Sequence, residues 1–160
     1  LIEGVLKSKP VENPPHARIL TELMVFFAKF HGDQWVLRSQ NQINLDRSAP
    51  EPDLAILRGP RNLYANRHAV ASDIELIVEV SDTSLPFDST TKLEIYARNL
   101  LPVYWIVNIP DRRIEVYANP VSGETPRYLN QTIYVTGQTV PVVLAGQQLA
   151  ELPVADLFNG

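Results

Sequence analysis

Two acids and a lysine carry the chemistry that this sequence could do. Glu79 ends an apolar run, Ile74-Glu75-Leu76-Ile77-Val78, and Asp53 stands directly after Pro52 at the head of another, Leu54-Ala55-Ile56-Leu57. An acid near the end of an apolar strand is costly to bury unless it is paired or binds a cation. Side chains alternate along a strand, so Asp73, Glu75, Ile77, Glu79 and Ser81 are expected on one face, with Leu76, Val78 and Val80 on the other. If the two strands are neighbours, Asp53 and Glu79 converge near one edge of a sheet, where two carboxylates repel. A divalent cation would remove that conflict, and hard oxygen ligands suit magnesium or manganese. Asp88, Lys92 and Tyr96 then recur at four-residue steps, one stripe of a helix beside the apolar Leu93, Ala97 and Leu100. A lysine there could reach over the sheet end towards the carboxylates, to orient a water or to stabilise charge developing on a phosphate.

The same residues admit a purely structural reading. Asp88 is a good N-cap, and Thr91-x-x-Glu94 resembles a capping box one turn later. Asp88 and Lys92 are in the favourable acid-then-base order of a helical pair, worth only about 0.2–0.5 kcal/mol. On spacing alone, structure stands ahead of catalysis.

Several elements must position these groups. The first fifteen residues, with Pro10, Pro14 and Pro15, read as an irregular lead-in. Apolar residues at three- and four-residue steps predict an amphipathic helix from 16 to about 30, closed by His31-Gly32-Asp33. A strand from Trp35 runs towards Gln40 and on to Leu45, and a short one spans 53–57. Residues 58–72 form a polar connection, 74–80 the clearest strand, and about 88–98 a helix. Strands follow at 103–107, 114–117, 127–129, 133–135 and 140–144, and the apolar-spaced tail at 149–158 docks on the body. The stretch from Glu75 to Val107 has the length of a β-α-β crossover, which makes its two strands parallel neighbours. The expected class is α/β or α+β, a mixed central sheet flanked by helices.

Bulk composition narrows the field. At 160 residues, 45% hydrophobic and 20% charged, the chain is expected to form a single domain with a sizeable core. It has no cysteine, so disulfides, thiolate nucleophiles and zinc-cysteine sites are excluded, and a cytoplasmic setting is expected. The net charge of −4 argues against a uniformly basic face but not against a local basic rim around a metal site. No apolar run approaches the roughly 20 residues of a membrane helix. The first residue is Leu1 rather than methionine, so native N-terminal residues are expected to be missing. No P-loop, GxGxxG or GxSxG is present.

Taken in order, "PEPDLAIL", "DIELIVEVSDTSL", Asp88-x3-Lys92-x3-Tyr96-Ala97 and "PVYWIVN" resemble the Uma family of bacterial restriction-endonuclease-like proteins, within the PD-(D/E)XK nuclease superfamily. The resemblance spans most of the chain. It implies a restriction-endonuclease-like core and a metal-dependent endonuclease, acting on DNA more than RNA. Pro52-Asp53 matches the "PD", and Glu79 the acid of the second motif. The superfamily lysine two positions further on is replaced by Ser81, and the family likeness points to Lys92 instead. Ser89 and Val103 depart from the residues common in relatives. The implied catalytic set is Asp53, Glu79 and Lys92. Asp53, Glu79 and the Val80 backbone carbonyl would hold Mg2+ or Mn2+, with Asp88, Tyr96 and Gln40 in support. A catalytically silent nuclease-fold binding or regulatory module is the alternative.

Other residues carry less. His16 reads as a cap or surface histidine, and His31 and His68 lack metal-ligand spacing. Arg58, Arg61 and Arg67 could form a rim for phosphates, with a solvated loop as the slightly favoured reading. Gln40 and Gln42 could line the cleft. Paired carboxylates also suit a glycosidase, but no aromatic-lined sugar cleft is signalled. The apolar tail leaves a homodimer open.

Overall fold

A computed structural model describes residues 1–5 and 13–159 of the chain. The lead-in expected around Pro10 lies outside the described residues. Pro14 and Pro15 open a helix instead, α1 (Pro14–Phe27), because proline fits the first turn, where its missing N–H has no partner to lose. Asn13 caps it, accepting the His16 N–H at 3.0 Å.

Six strands form the main sheet: β1 (Trp35–Ser39), β3 (Leu54–Arg58), β5 (Ile74–Ser81), β6 (Val103–Asn108), β7 (Arg113–Val121) and β8 (Arg127–Val135), adjacent in that order. Only β5 and β6 pair in parallel, joined by the expected helical crossover; the other pairings are antiparallel. A short parallel pair, β2 (Ile43–Asn44) with β4 (Ala69–Val70), and a hairpin, β9 (Thr139–Leu144) with β10 (Gln147–Pro153), complete the strands of the described residues. The class is mixed α+β, as expected. No helix among the described residues is long and apolar enough to cross a membrane.

Both faces of the sheet are covered. On one, Ile19, Leu20, Leu23 and Phe27 of α1 pack with Leu54, Ile56, Leu76, Val78 and Trp105, together with the β9–β10 hairpin and a short terminal helix, α4 (Val154–Phe158). On the other, Ile95, Tyr96 and Ala97 pack on Ala55, Leu57, Ile77, Tyr104 and Ile106. Strand β5 lies between these layers and all eight of its residues are buried, which is why its sequence is nearly continuous in apolar residues. The tail does dock: Leu152, Val154, Leu157 and Phe158 are buried in the chain's own core, while Leu149 stays exposed.

Several boundaries differ from expectation. The first strand stops at Ser39 because Gln40 takes a left-handed conformation (φ 54°) that turns the chain away, and β2 is separate. Residues 127–135 make one strand, not two. The helix of the crossover begins three residues early, as a short turn α2 (Leu85–Phe87), widens into a π turn over Asp88–Lys92, and continues as α3 (Leu93–Arg98). The Ser89 and Thr90 hydroxyls donate to the carbonyls of Leu85 and Pro86, a competition with main-chain bonding that loosens helices. Leu100, expected in the apolar stripe, lies beyond the helix end and is 54% exposed.

Candidate active site

Asp53 and Glu79 meet through strand register. Leu54 in β3 pairs with Val78 in β5, so one step further places Asp53 opposite Glu79. Directly opposed residues of an antiparallel pair share a face, so both carboxylates stand on the side covered by the crossover helix. Strand β3 begins only after Pro52, which cannot donate a ladder bond, and the main chain there is tied from outside. The Gln40 N–H donates to the carbonyls of Pro52 (3.1 Å) and Asp53 (3.2 Å), and Ser39 Oγ donates to the Asp53 carbonyl at 2.9 Å. The left-handed turn at Gln40 thus anchors Asp53 through its backbone.

The carboxylates are almost fully enclosed, Asp53 at 4% and Glu79 at 1% exposure. Asp53 Oδ2 accepts the Val80 N–H at 2.9 Å and lies 3.1 Å from His16 Nε2. Glu79 Oε1 accepts the Tyr96 hydroxyl at 2.7 Å, and Glu79 Oε2 lies 2.9 Å from Lys92 Nζ. Lys92 is also 2.9 Å from Asp88 Oδ1. Asp88 is not a helix cap: it is buried inside the helical segment and accepts Ser81 Oγ (2.7 Å) and Ser84 Oγ (2.6 Å). Ser81 therefore supports, through Asp88, the lysine that occupies Glu79. The Tyr104 hydroxyl holds the Asp88 carbonyl at 3.1 Å, steadying the π turn from β6. Wide turns of this kind recur at functional sites.

Three acids (Asp53, Glu79 and Asp88) face one ammonium in this enclosure. Burial, reinforced by the charges of Asp53 and Asp88, pushes the Glu79 carboxyl up to about 7 despite Lys92 and Tyr96. Burial alone would pull the Lys92 ammonium down, but Glu79 and Asp88 outweigh it and hold the proton well above the usual lysine range. Burial and Glu79 likewise raise the Tyr96 hydroxyl well above its ordinary value, so it stays a donor.

The surplus negative charge fits a divalent cation. The donors are hard oxygens: two carboxylates and the Val80 carbonyl, which leaves β5 on the side of its N–H, towards Asp53. Its cross-strand neighbour by register, Pro52, has no N–H to offer it. No group of three or more His, Cys, Asp or Glu among the described residues could by itself hold an ion. Magnesium uses one or two carboxylates, completing its shell with water and phosphate oxygens, so the donor set is adequate.

The structure thus brings together Asp53, Glu79, Lys92, Asp88 and Tyr96, with Val80 and Gln40 beside them. It separates the three arginines from them. Arg58 ends β3 at the far end from Asp53 and pairs with Glu75; Arg67 binds Asp73 in a two-pronged ion pair at 2.6 and 3.1 Å. Asp73 lies just before β5, and the strand from Ile74 to Glu79 spans about 17 Å at a strand's rise. Arg61, exposed, follows β3 at that same remote end. Glu75 does not share the face of Glu79 as alternation predicts. A bulge between Ile56 and Leu57 shifts the register, and Glu75 binds the Ala145 N–H at 2.8 Å in the hairpin on the opposite layer. His16, read as a surface or capping residue, reaches Asp53 from α1. Nothing in local spacing signals this, because the two residues are 37 positions apart.

Comparison with known proteins places this geometry in context. The Uma2 family model, described as "Putative restriction endonuclease", matches residues 1–155. Among solved structures, the chain is similar to a protein from Anabaena variabilis described as "a putative nuclease belonging to DUF820". The TM-score is 0.69 at 15% sequence identity, over 99% of this chain and 88% of the other. A search of curated proteins returned no match.

Proposed function

Since the chain belongs to the Uma2 family, we propose that it is a divalent-metal-dependent endonuclease hydrolysing phosphodiester bonds of nucleic acid, DNA before RNA. The observation that carries this reading is the enclosure of Lys92 by Glu79 and Asp88, across from Asp53. Asp53, Glu79 and the Val80 carbonyl would hold Mg2+ or Mn2+. Such an ion, when bound, polarises a phosphate oxygen and lowers the pKa of an attacking water.

The chain's own residues do the positioning. Tyr96 pins one oxygen of Glu79, which leaves the carboxylate a fixed orientation. The Val80 N–H and His16 fix Asp53 in the same way. Lys92 keeps its proton and is aimed by Asp88, so its charge is already in place where negative charge grows on the reacting phosphate. That charge replaces the one that relatives of the superfamily pattern present from the position of Ser81.

The second reading, a silent nuclease-fold binding or regulatory module, draws on a different observation: both Glu79 oxygens already have protein partners. A cleavage assay separates the two. Wild type is incubated with DNA and RNA in Mg2+ or Mn2+, beside Asp53→Ala and Glu79→Ala. Cleavage that needs the metal and vanishes in both variants is the expected result. Metal binding without cleavage of any substrate would leave only the module.

A further inference from the structure

We infer that a cleft on the carboxylates' face of the sheet seats one unpaired nucleotide of a single-stranded nucleic acid, with Arg38 as its phosphate or base-edge contact. The cleft has a volume of about 280 Å3 and lies between the end of β1 and the connection that leads into β4. Arg38, Asn41, Gln42, Asn66, Arg67 and His68 line it together with Leu57 and Tyr64, and no acid does. Arg67 is committed to Asp73. Arg38 is not committed to any acid: its guanidinium donates to the Tyr64 carbonyl (3.0 Å) and to Asn41 Oδ1 (3.3 Å), both neutral. The guanidinium also lies over the Tyr64 ring, 5.6 Å from its centroid, and those two bonds use only part of its five N–H donors.

Position ties the cleft to the carboxylates. Arg38 pairs with Ala55, and Ala55 with Ile77, so these three form the row next to that of Asp53 and Glu79, on the same face. Strand spacing and rise put the Arg38 and Glu79 backbones about 12 Å apart. That is a span of three to four nucleotides at about 3.4 Å per stacked step. Asn41 and Gln42 also follow directly on Gln40, whose N–H anchors Asp53.

Shape selects the strand state. A recess cannot enter a groove of a duplex; its occupant must protrude into it, and paired bases do not. An unpaired base offers its edges to amides such as Gln42 and Asn66 and its plane to a guanidinium, the usual means of single-strand recognition.

The inference rests on the nuclease reading, yet the two fail separately. Binding of the full chain to a fluorescent single-stranded DNA and to its duplex is measured in EDTA across a salt series, for wild type, Arg38→Gln and Asn66→Asp. Asn66 is exposed, so its variant tests the cleft even if loss of the Arg38–Tyr64 contact disturbs folding. Single strand should bind at least about tenfold tighter than duplex, and each variant should lose about tenfold. The log-log salt slope should fall by about 0.7 in Arg38→Gln, one phosphate contact on a single strand. Equal binding of duplex and single strand, or wild-type binding by both variants, overturns the cleft even if metal-dependent cleavage is intact. Single-strand binding that depends on Arg38 and Asn66 in a protein that never cleaves would overturn the nuclease reading and keep the cleft.

Discussion

Lys92 Nζ lies 2.9 Å from Glu79 Oε2, joining a helix to a strand end across the parallel crossover. The lysine side chain is 16% exposed and the glutamate 2%, so the pair is largely out of water, with Asp88 completing the lysine's shell.

Lys92→Met should therefore damage both stability and chemistry. Removing one partner of a buried pair costs about 3–5 kcal/mol, since Glu79 and Asp88 are left as uncompensated charges. Cleavage should fall by on the order of 10²–10³-fold. Added Mg2+ should restore part of the lost melting temperature, because a cation again offsets Glu79. A variant as stable as wild type in EDTA would show that the pair is not what holds these acids.

Tyr96→Phe deletes a hydrogen bond to a buried carboxylate, worth about 1.5–3 kcal/mol. That bond favours the ionised form of Glu79. Its loss should move the acid limb of the kcat/KM profile to higher pH while the substrate KM changes little. An unmoved limb would detach Tyr96 from the site.

The pH dependence of stability has a defined sign. Glu79 has an ordinary value of 4.5 and is raised to about 7 in the folded chain, so between these values the folded state holds more protons than the unfolded. Without metal, the Glu79 contribution to stability should fall as pH rises through that window and level off above it. Denaturant unfolding in EDTA should show this decline in wild type and not in Glu79→Gln. Metal affinity should run the opposite way, rising until pH passes about 7.

Ser81 and Lys92 should be exchangeable in part. Ser81 lies two residues beyond Glu79 on the same strand face and is fully buried against Asp88. Ser81→Lys combined with Lys92→Met returns an ammonium to the space that Lys92 vacates. The double variant should cleave measurably faster than Lys92→Met alone; equal rates would mean that the cation must come from the helix.

What the sequence revealed here follows physical range. Asp53 and Glu79 were readable because strand alternation and a proline boundary are local, and Lys92 and Tyr96 because helical spacing survives the π turn. The cap reading of Asp88 competes with its place beside Lys92 because an acid before a helix looks like a cap whether it faces solvent or the sheet. The face of Glu75 depended on a bulge, which leaves no mark on alternation within its own strand. His16 and Arg38 gain their roles only from strand order and helix docking, which no short window contains. The distance of the three arginines from the carboxylates is likewise invisible in sequence: Arg58 is only five positions from Asp53, yet an extended strand puts about 17 Å between them.

The single parallel pairing in the main sheet also sets an order of assembly. Asp53 and Glu79 belong to an antiparallel pair and can meet once β5 emerges from the ribosome. Lys92 and Tyr96 settle on that face only when the crossover has been spanned and β6 has closed beside β5. Crossovers close late because their loop entropy is lost before contacts repay it. A nascent chain ending near residue 81 would thus carry the two carboxylates without the ammonium that restrains them, and the competence of this protein would be acquired in one late step of its folding.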